Sequence, residues 1–157
     1  MKNVKIRRVN NSDMEDIFKW RNHEHNRKMA RNANKVKWSD HVNWFEKSLK
    51  NSKKSFYLCL DEKDLDKIGM VRFDFNDDDF NAEISINLNP KMFGMGYAKN
   101  CLRAGIQLMR EEKRNCKLII AQIKDINIPS IKSFLGVGFI KNKVNTCDLD
   151  IYIKVIG

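Results

Sequence analysis

The sequence has little of what would place the protein in a membrane or outside the cell. No apolar run approaches the roughly 20 residues that a transmembrane helix needs. The opening segment, MKNVKIRRVNNSD, is charged and lacks the apolar stretch of a signal peptide. We therefore expect a cytoplasmic protein that does not associate with membranes.

Cysteines are few and scattered. The four of them, Cys59, Cys101, Cys116 and Cys147, form no C-x-x-C pair, and none has a histidine at metal-ligand spacing. In a reducing compartment such cysteines are ordinarily free thiols. The sequence predicts neither a metal site nor a disulfide.

The overall composition is that of an ordinary globular domain. Of 157 residues 42% are hydrophobic and 32% are charged, and we find no repeat, low-complexity segment or linker. We predict a single domain over residues 1–157. The net charge of +10 suits nucleic acid, an anionic surface or a polyanionic small ligand. The basic residues form no dense stripe with interleaved aromatics, which disfavours nucleic acid. Lysine, asparagine and isoleucine are frequent throughout, so compositional bias also explains part of the charge.

The hydrophobic pattern predicts a mixed α/β domain in the order β-α-α-β-β-β-α-β-α-β. Ser12 with Glu15 has capping-box spacing, and Ser39 or Asp40 is expected to cap the second helix. The last strand is expected at an edge or in a hairpin. Strands are predicted over 3–9, 54–63, 66–75, 82–89, 118–124 and 147–156, and helices over 14–23, 39–51, 97–116 and 127–139.

The stretch NPKMFGMGYAKN, residues 89–100, joins an alternating strand to the longest predicted helix. A turn before a helix presents unpaired N–H groups, and the helix dipole favours an anion there. Glycine lets phosphate oxygens approach the backbone. No GK[ST] follows, and Lys99 stands where a dinucleotide fingerprint needs a third glycine. Taken alone, the two glycines could equally be a structural turn.

A second motif changes this reading. The loop reads K-x-x-G-x-G, with Lys91 where arginine or glutamine is usual, and downstream NIPSIKSFLGVGF carries Asn127, Ser130, Phe134 and a terminal GF. Together they resemble the acetyl-CoA-binding elements of the GNAT acetyltransferase superfamily. The resemblance implies a single-domain GNAT fold, a mixed and mostly antiparallel sheet flanked by helices with a splayed strand pair that holds acetyl-CoA. It also implies direct acetyl transfer to an amine in a ternary complex.

The resemblance carries over residue by residue. The loop would hold the pyrophosphate, the preceding strand would pair with the pantetheine arm, and Asn127 would reach the pantetheine or acetyl region. Phe134 replaces the tyrosine that often protonates the leaving thiolate, and Tyr97 and Tyr152 are weaker substitutes. The implied cofactor-binding residues are Ile86, Leu88, Met92, Phe93, Gly94, Met95, Gly96, Tyr97, Ala98, Asn127, Ser130 and Phe134.

Two residues are candidates for the general base. Glu83 matches a position where several GNAT enzymes carry a base, and His41 titrates in the useful range. Each has an alternative structural reading, Glu83 on a solvated face or in a salt bridge and His41 on the surface or in the core. His23 and His25 are weaker candidates.

The acceptor side carries a narrower resemblance. KWRNH, a later methionine and a histidine before NWF are similar to the acetyltransferases of pseudaminic acid biosynthesis, which act on a UDP-linked 4-amino-4,6-dideoxy sugar. Arg21, Met29 and His41 would then bind the nucleotide sugar, and a homodimer is compatible with the resemblance. In the alternative reading Trp20 and Met29 are core and Arg21 forms a surface pair. A protein N-terminal (ribosomal-protein-type) or small-amine acetyltransferase, a nucleic-acid-binding domain and a non-catalytic acyl-CoA-binding protein remain alternatives.

Overall fold

Strands and α-helices contribute nearly equal shares of the ordered framework. The computed structural model describes residues 2–144 and 149–157. The strands in this part of the chain are β1 (Val4–Arg8), β2 (Lys54–Asp61), β3 (Lys67–Phe75), β4 (Asn81–Leu88), β5 (Leu118–Lys124), β6 (Ile140–Val144) and β7 (Leu149–Val155). The α-helices there are α1 (Met14–Asn22), α2 (Glu24–Met29), α3 (Trp38–Leu49), α4 (Ala98–Glu112) and α5 (Ile128–Gly136).

In the described residues one seven-stranded sheet has the order β1-β2-β3-β4-β5-β7-β6. Its neighbouring strands are antiparallel except for β4 and β5, which are parallel. A parallel pair needs a crossover connection, and here α4 provides it. This is the mixed, mostly antiparallel sheet that the sequence predicted.

The parallel pair separates soon after it forms. Strands β4 and β5 pair only from Asn81 with Leu118 to Glu83 with Ile120, although both strands continue beyond that point. Farther along β4 the N–H of Asn89 donates to Ile68 of the β3 side, and strand alternation therefore turns the peptide group of Leu88 away from β3. The same alternation exposes the peptide group of Ile86 to the gap. The splay thus leaves the peptide group of Ile86 and the Leu88 N–H facing the gap, whereas the Leu88 carbonyl accepts from Asn26 Nδ2 at 3.1 Å.

The sheet is buried on both faces. Along β2, Phe56 and Leu58 belong to a cluster with α1 and α3, while Tyr57 and Cys59 belong to a cluster with α4 and α5. This double burial explains the continuous apolar run FYLCL, since a strand with one solvated face would alternate. Gly105 lets α4 approach the sheet, because a Cβ there would lie 2.9 Å from Val71 Cγ1.

A buried carboxylate ties the first strand to the rest. Asp13 has no exposed surface and accepts hydrogen bonds from Arg7 of β1 (2.8 and 2.9 Å) and from the Asn10 N–H (2.9 Å), with Lys67 of β3 at 2.9 Å. Burial alone would raise the pKa of Asp13, but these donors more than offset it and lower the pKa to about 2. The charged form is therefore part of the native packing.

Several local predictions were wrong. The structure adds α2 and β6 to the predicted elements. The last strand, β7, lies inside the sheet and not at its edge, but it pairs antiparallel with the preceding strand β6, as the hairpin alternative predicted. The capping box is formed by Asn10 and Asp13 rather than Ser12 and Glu15, and α3 starts after Lys37 without a side-chain cap. The last strand was predicted from Cys147, which lies outside the described residues.

Cys59, Cys101 and Cys116 are buried free thiols, whereas Cys147 lies outside the described residues. Over the described ranges no group of three or more histidine, cysteine, aspartate or glutamate side chains could hold a metal ion. No helix in that part of the chain combines the length and apolarity needed to cross a bilayer.

Candidate active site

The gap between β4 and β5 opens into a cavity of about 890 Å³. Its lining residues come from both faces of the sheet. On the α4 and α5 face lie residues of the glycine loop, which we define as residues 91–97, and residues at the start of α4 and at the start of α5. On the α1–α3 face lie residues of α1, α2, α3 and β3. Two reactants could therefore meet through the gap from opposite sides.

The glycine loop has the geometry of an anion cradle. Gly94 and Gly96 have φ values of +72° and +82°, which glycine adopts without steric cost, and no atom lies within 4 Å of a Cβ built at either position. The N–H groups of Gly96, Tyr97 and Ala98 find no backbone or side-chain acceptor among the described residues, and Tyr97 caps α4 without a side-chain bond. These donors line the cavity and fit a diphosphate.

Most of the predicted cofactor residues line this one cavity. Met95 does not, since its side chain is 43% exposed and outside the lining, and Lys91 is exposed as well. Phe93 lines it and is held between the rings of His23 and His25, at 5.7 and 5.1 Å between centroids. The predicted residues in the lining are Ile86, Leu88, Met92, Phe93, Gly94, Gly96, Tyr97, Ala98, Asn127, Ser130 and Phe134.

No tyrosine hydroxyl is free to act at the thiol end. Phe134 is buried against Phe139, with ring centroids 5.0 Å apart. The Tyr97 hydroxyl donates to Asp61 at 2.7 Å, and this bond raises the pKa of Tyr97 to about 12. Tyr152 is buried on β7 and does not line the cavity. Neither of the two tyrosines suggested as substitutes thus offers a free hydroxyl to the cavity in this structure.

Glu83 lies on β4 where the splay begins, and it lines the cavity. Its Oε1 accepts from Arg31 Nη2 at 2.7 Å, and Arg31 Nη1 lies 3.5 Å from Gln122 on β5. Glu83 can therefore form a salt bridge and also belong to the candidate site, because the salt bridge lies inside the cavity.

A second arginine, Arg21, lines the cavity on the α1–α3 face, and no described residue is its counter-ion. The Arg21 guanidinium carbon lies 4.9 Å from the centroid of the Trp44 ring. The guanidinium carbon of Arg72 lies 5.8 Å from the same centroid. Arg21 forms no ion pair or hydrogen bond with any described residue, and burial together with the charge of Arg72 lowers the pKa of Arg21. Met29 lines the same region. The arrangement concentrates positive charge on a half-buried aromatic platform.

The structure does not bring His41 into this group. Its side chain has no exposed surface, and its Nε2–H donates to the Met14 carbonyl at 2.9 Å. The ring packs against Phe18, Trp38 and other aromatic side chains, and it does not line the cavity. Burial lowers the pKa of His41 in spite of that bond. The imidazole is therefore a neutral core group, and we assign neither the base nor acceptor binding to it.

The cavity residues that the sequence analysis did not single out include Trp44, Arg72 and Arg31. Trp44 and Arg72 could have been found, because Trp44 lies in the NWF segment and Arg72 breaks an apolar strand between Val71 and Phe73. Arg31 offers no such signal, since only the tertiary fold brings it to Glu83. His25 lines the cavity, whereas His23 does not.

Known proteins share this architecture. A domain from Methanocaldococcus jannaschii has a TM-score of 0.84 at 23% identity, covering 99% of this chain and 100% of that one. The spermidine N-acetyltransferase from Vibrio cholerae, solved with CoA and spermine, scores 0.83 at 15% identity over 98% and 95%. An aminoglycoside acetyltransferase solved with coenzyme A and kanamycin scores 0.81 at 15% identity over 98% and 95%.

These likenesses establish the fold. No protein of curated function matches the sequence. The acetyltransferase (GNAT) domain model matches residues 3–140, which is most of the chain and contains both the glycine loop and the start of α5. The chain therefore belongs to the acetyltransferase (GNAT) domain family and is an acetyl-CoA-dependent N-acetyltransferase.

Proposed function

We propose that the acceptor is an amine whose molecule also carries an anionic group, and that it is a UDP-linked 4-amino-4,6-dideoxy-N-acetylhexosamine or a close analogue. The observation that carries this proposal is Arg21, a half-buried guanidinium in the cavity with no counter-ion among the described residues. A guanidinium suits a diphosphate because its planar fork donates paired hydrogen bonds.

The charges of the acceptor face support the same choice. Arg21, Arg31 and Arg72 line the cavity there. Arg31 is paired with Glu83, the single carboxylate of the described lining, and Arg72 is paired with Asp74 at 3.0 Å, so Arg21 is the arginine of this face that lacks a counter-ion among the described residues. An ammonium about 6 Å from one guanidinium is repelled by about 3 kcal/mol at an effective dielectric constant of about 20. A polyamine or aminoglycoside would bring several such charges. The site therefore favours an acceptor that brings negative charge.

The opposite face fits acetyl-CoA. The free N–H groups of Gly96 and Ala98 would bind the pyrophosphate, and the peptide group of Ile86 together with the Leu88 N–H would pair with the pantetheine amides. Asn127 caps α5 by accepting the Ser130 N–H at 3.4 Å, which leaves its amide nitrogen available to the same arm. When bound, acetyl-CoA supplies the acetyl group as a thioester.

The chemistry needs a neutral amine. The acceptor nitrogen forms a bond to the acetyl carbonyl carbon, the carbon–sulfur bond breaks, and the nitrogen gives its proton to Glu83 or to a water beside it. A sugar amine is taken to resemble an α-amino group, with a pKa of about 8, so part of it is neutral near pH 7 and one carboxylate suffices. A thiol with a pKa of about 8.5 leaves readily, which removes the need for a tyrosine acid at Phe134.

The test is thiol release from acetyl-CoA with three acceptors, each at the same concentration. They are the UDP-linked amino sugar, spermidine, and a peptide with a free N-terminus. The proposal expects the sugar nucleotide to react with the highest kcat/KM. Preference for spermidine would make the protein a polyamine acetyltransferase, and preference for the peptide would make it a protein N-terminal acetyltransferase; either outcome refutes the proposal.

A further inference from the structure

A short segment crosses the acceptor side of the cavity. We define the strap as residues 30–37, which connect α2 to α3. Its base is held by Asn22, whose amide donates to the Val36 carbonyl and accepts the Val36 N–H, both at 2.8 Å. Arg27 donates to the Ala33 carbonyl at 3.2 Å. The strap is therefore anchored to α1 and α2 by these hydrogen bonds.

Arg31 reaches from the strap to both splayed strands. It pairs with Glu83 of β4 at 2.7 Å and lies 3.5 Å from Gln122 of β5. A neighbouring bond reinforces the crossing, since Lys124 of β5 donates to the Lys28 carbonyl at 2.9 Å. Arg31 consequently stands over the point where β4 and β5 separate.

Glu83 is the one carboxylate in the described lining of the cavity, and its partner is Arg31. A polycationic acceptor needs a free carboxylate to offset its charges. Here it would have to displace the guanidinium or bind beside it, and like charges placed together in a binding site cost several kcal/mol.

We propose that Arg31 is a specificity-determining residue that occupies Glu83 and so excludes polycationic amines from the acceptor site. This rests on the proposed function in that the site takes an acetyl acceptor on this face of the sheet. Arg31 pairs with the carboxylate, and an acceptor with a single amine and an anionic group tolerates the pair. Removal of Arg31 leaves Glu83 open to an ammonium group.

The test is the Arg31→Gln variant with spermidine as acceptor and acetyl-CoA as donor. We expect its kcat/KM for spermidine to rise at least about ten-fold over the wild type, mainly through a lower KM. Lys35→Gln is the matched control, because Lys35 is an exposed strap residue outside the cavity lining and the charge change is the same. It should leave the wild-type value unchanged. Arg31→Lys keeps the charge and should retain most of the exclusion.

A double variant assigns the gain to the carboxylate. In Arg31→Gln with Glu83→Gln the Kd for spermidine, measured by calorimetry because Glu83 is also the proposed base, should return to the wild-type value or above, whereas a tighter Kd that persists would contradict the proposal. Equal spermidine kinetics in Arg31→Gln and the wild type, with unchanged thermal unfolding, would also overturn it. If the Arg31→Gln protein does not fold, the Arg31→Lys variant provides the test. Because lysine keeps the positive charge, loss of spermidine exclusion in Arg31→Lys would contradict the proposal.

The two proposals fail in different ways. Failure of the proposed function appears as no turnover of the sugar nucleotide by the wild type, and it leaves the spermidine comparison measurable. Failure of the Arg31 proposal appears as an unchanged spermidine KM while the sugar nucleotide still reacts.

Discussion

Replacement of Arg21 by glutamine tests the assignment of the acceptor's anionic group. In the structure Arg21 stacks on Trp44 at 4.9 Å and has no counter-ion among the described residues, so its donors are available to a ligand. A hydrogen bond between charged groups contributes about 1.5–3 kcal/mol, which corresponds to roughly a ten- to 150-fold rise in the acceptor KM when it is lost. Binding of acetyl-CoA should not change, because Arg21 lies on the opposite face of the sheet.

The assay separates these effects. Initial rates with the UDP-linked amino sugar give KM and kcat, and calorimetry gives the Kd for acetyl-CoA. Arg114→Gln is the matched control, since Arg114 is exposed and lies outside the cavity lining. Loss of the cation–π contact with Trp44 should cost about 1 kcal/mol of folding free energy, measured by urea unfolding. An unchanged acceptor KM in a folded Arg21→Gln protein would refute the reasoning.

Other variants test the remaining assignments. Gly94→Val and Gly96→Val should each weaken acetyl-CoA binding about ten-fold or more while the fold survives, because a side chain at positive φ is strained and moves the N–H donors; calorimetric affinities equal to wild type in both would remove the loop from the cofactor site. Glu83→Gln should lower kcat far more than it changes acetyl-CoA affinity, and normal turnover would transfer the base role to water. Asp13 has a pKa lowered to about 2, so its stabilisation of about 2 kcal/mol should be full above pH 4 and lost as the pH falls from about 4 towards 2. Urea unfolding of the wild type and Asp13→Asn over this range checks the last prediction, which an unchanged acid dependence in the variant would contradict.

The sequence predicted best those elements whose residue pattern has a single, local structural explanation. The apolar run over 118–124 became β5 with the predicted bounds, and the helix predicted over 127–139 is α5, with Pro129 in its first turn. The two glycines of the loop form the predicted turn before α4, with positive φ values. Each of these features depends on local chemistry that a single sequence carries.

The sequence analysis missed two elements, β6 and α2, that are stabilised mainly by hydrogen bonds to other segments of the chain. Strand β6 reads as a polar loop, and Ile140 in it is 63% exposed, because pairing with β7 rather than a buried face creates the strand. Helix α2 buries no residue and is stabilised by a cap from His23 and by Asn26, which donates to the Trp20 and Leu88 carbonyls. Neither interaction leaves a periodic signal.

The assignment of His41 to the site also shows the difference between local and tertiary information. Positions 41, 45 and 48 share one face of α3, and the structure buries His41, Phe45 and Ser48 there. A histidine spaced four residues from a core phenylalanine therefore indicates burial. Its distance in sequence from the glycine loop gave no information on whether it reaches the cavity.

The most direct test of the account compares two acceptors that differ only in the nucleotide. The ratio of kcat/KM for the UDP-linked 4-amino sugar to that for the same amino sugar without UDP measures what the whole UDP moiety contributes, and its dependence on Arg21 assigns the part that the diphosphate contributes. We predict a ratio of at least about 100 for the wild type, which is close to 3 kcal/mol, and a ratio reduced at least about ten-fold in Arg21→Gln. A ratio near one in the wild type would show that the acceptor face does not recognise an anionic group, and it would contradict the central claim.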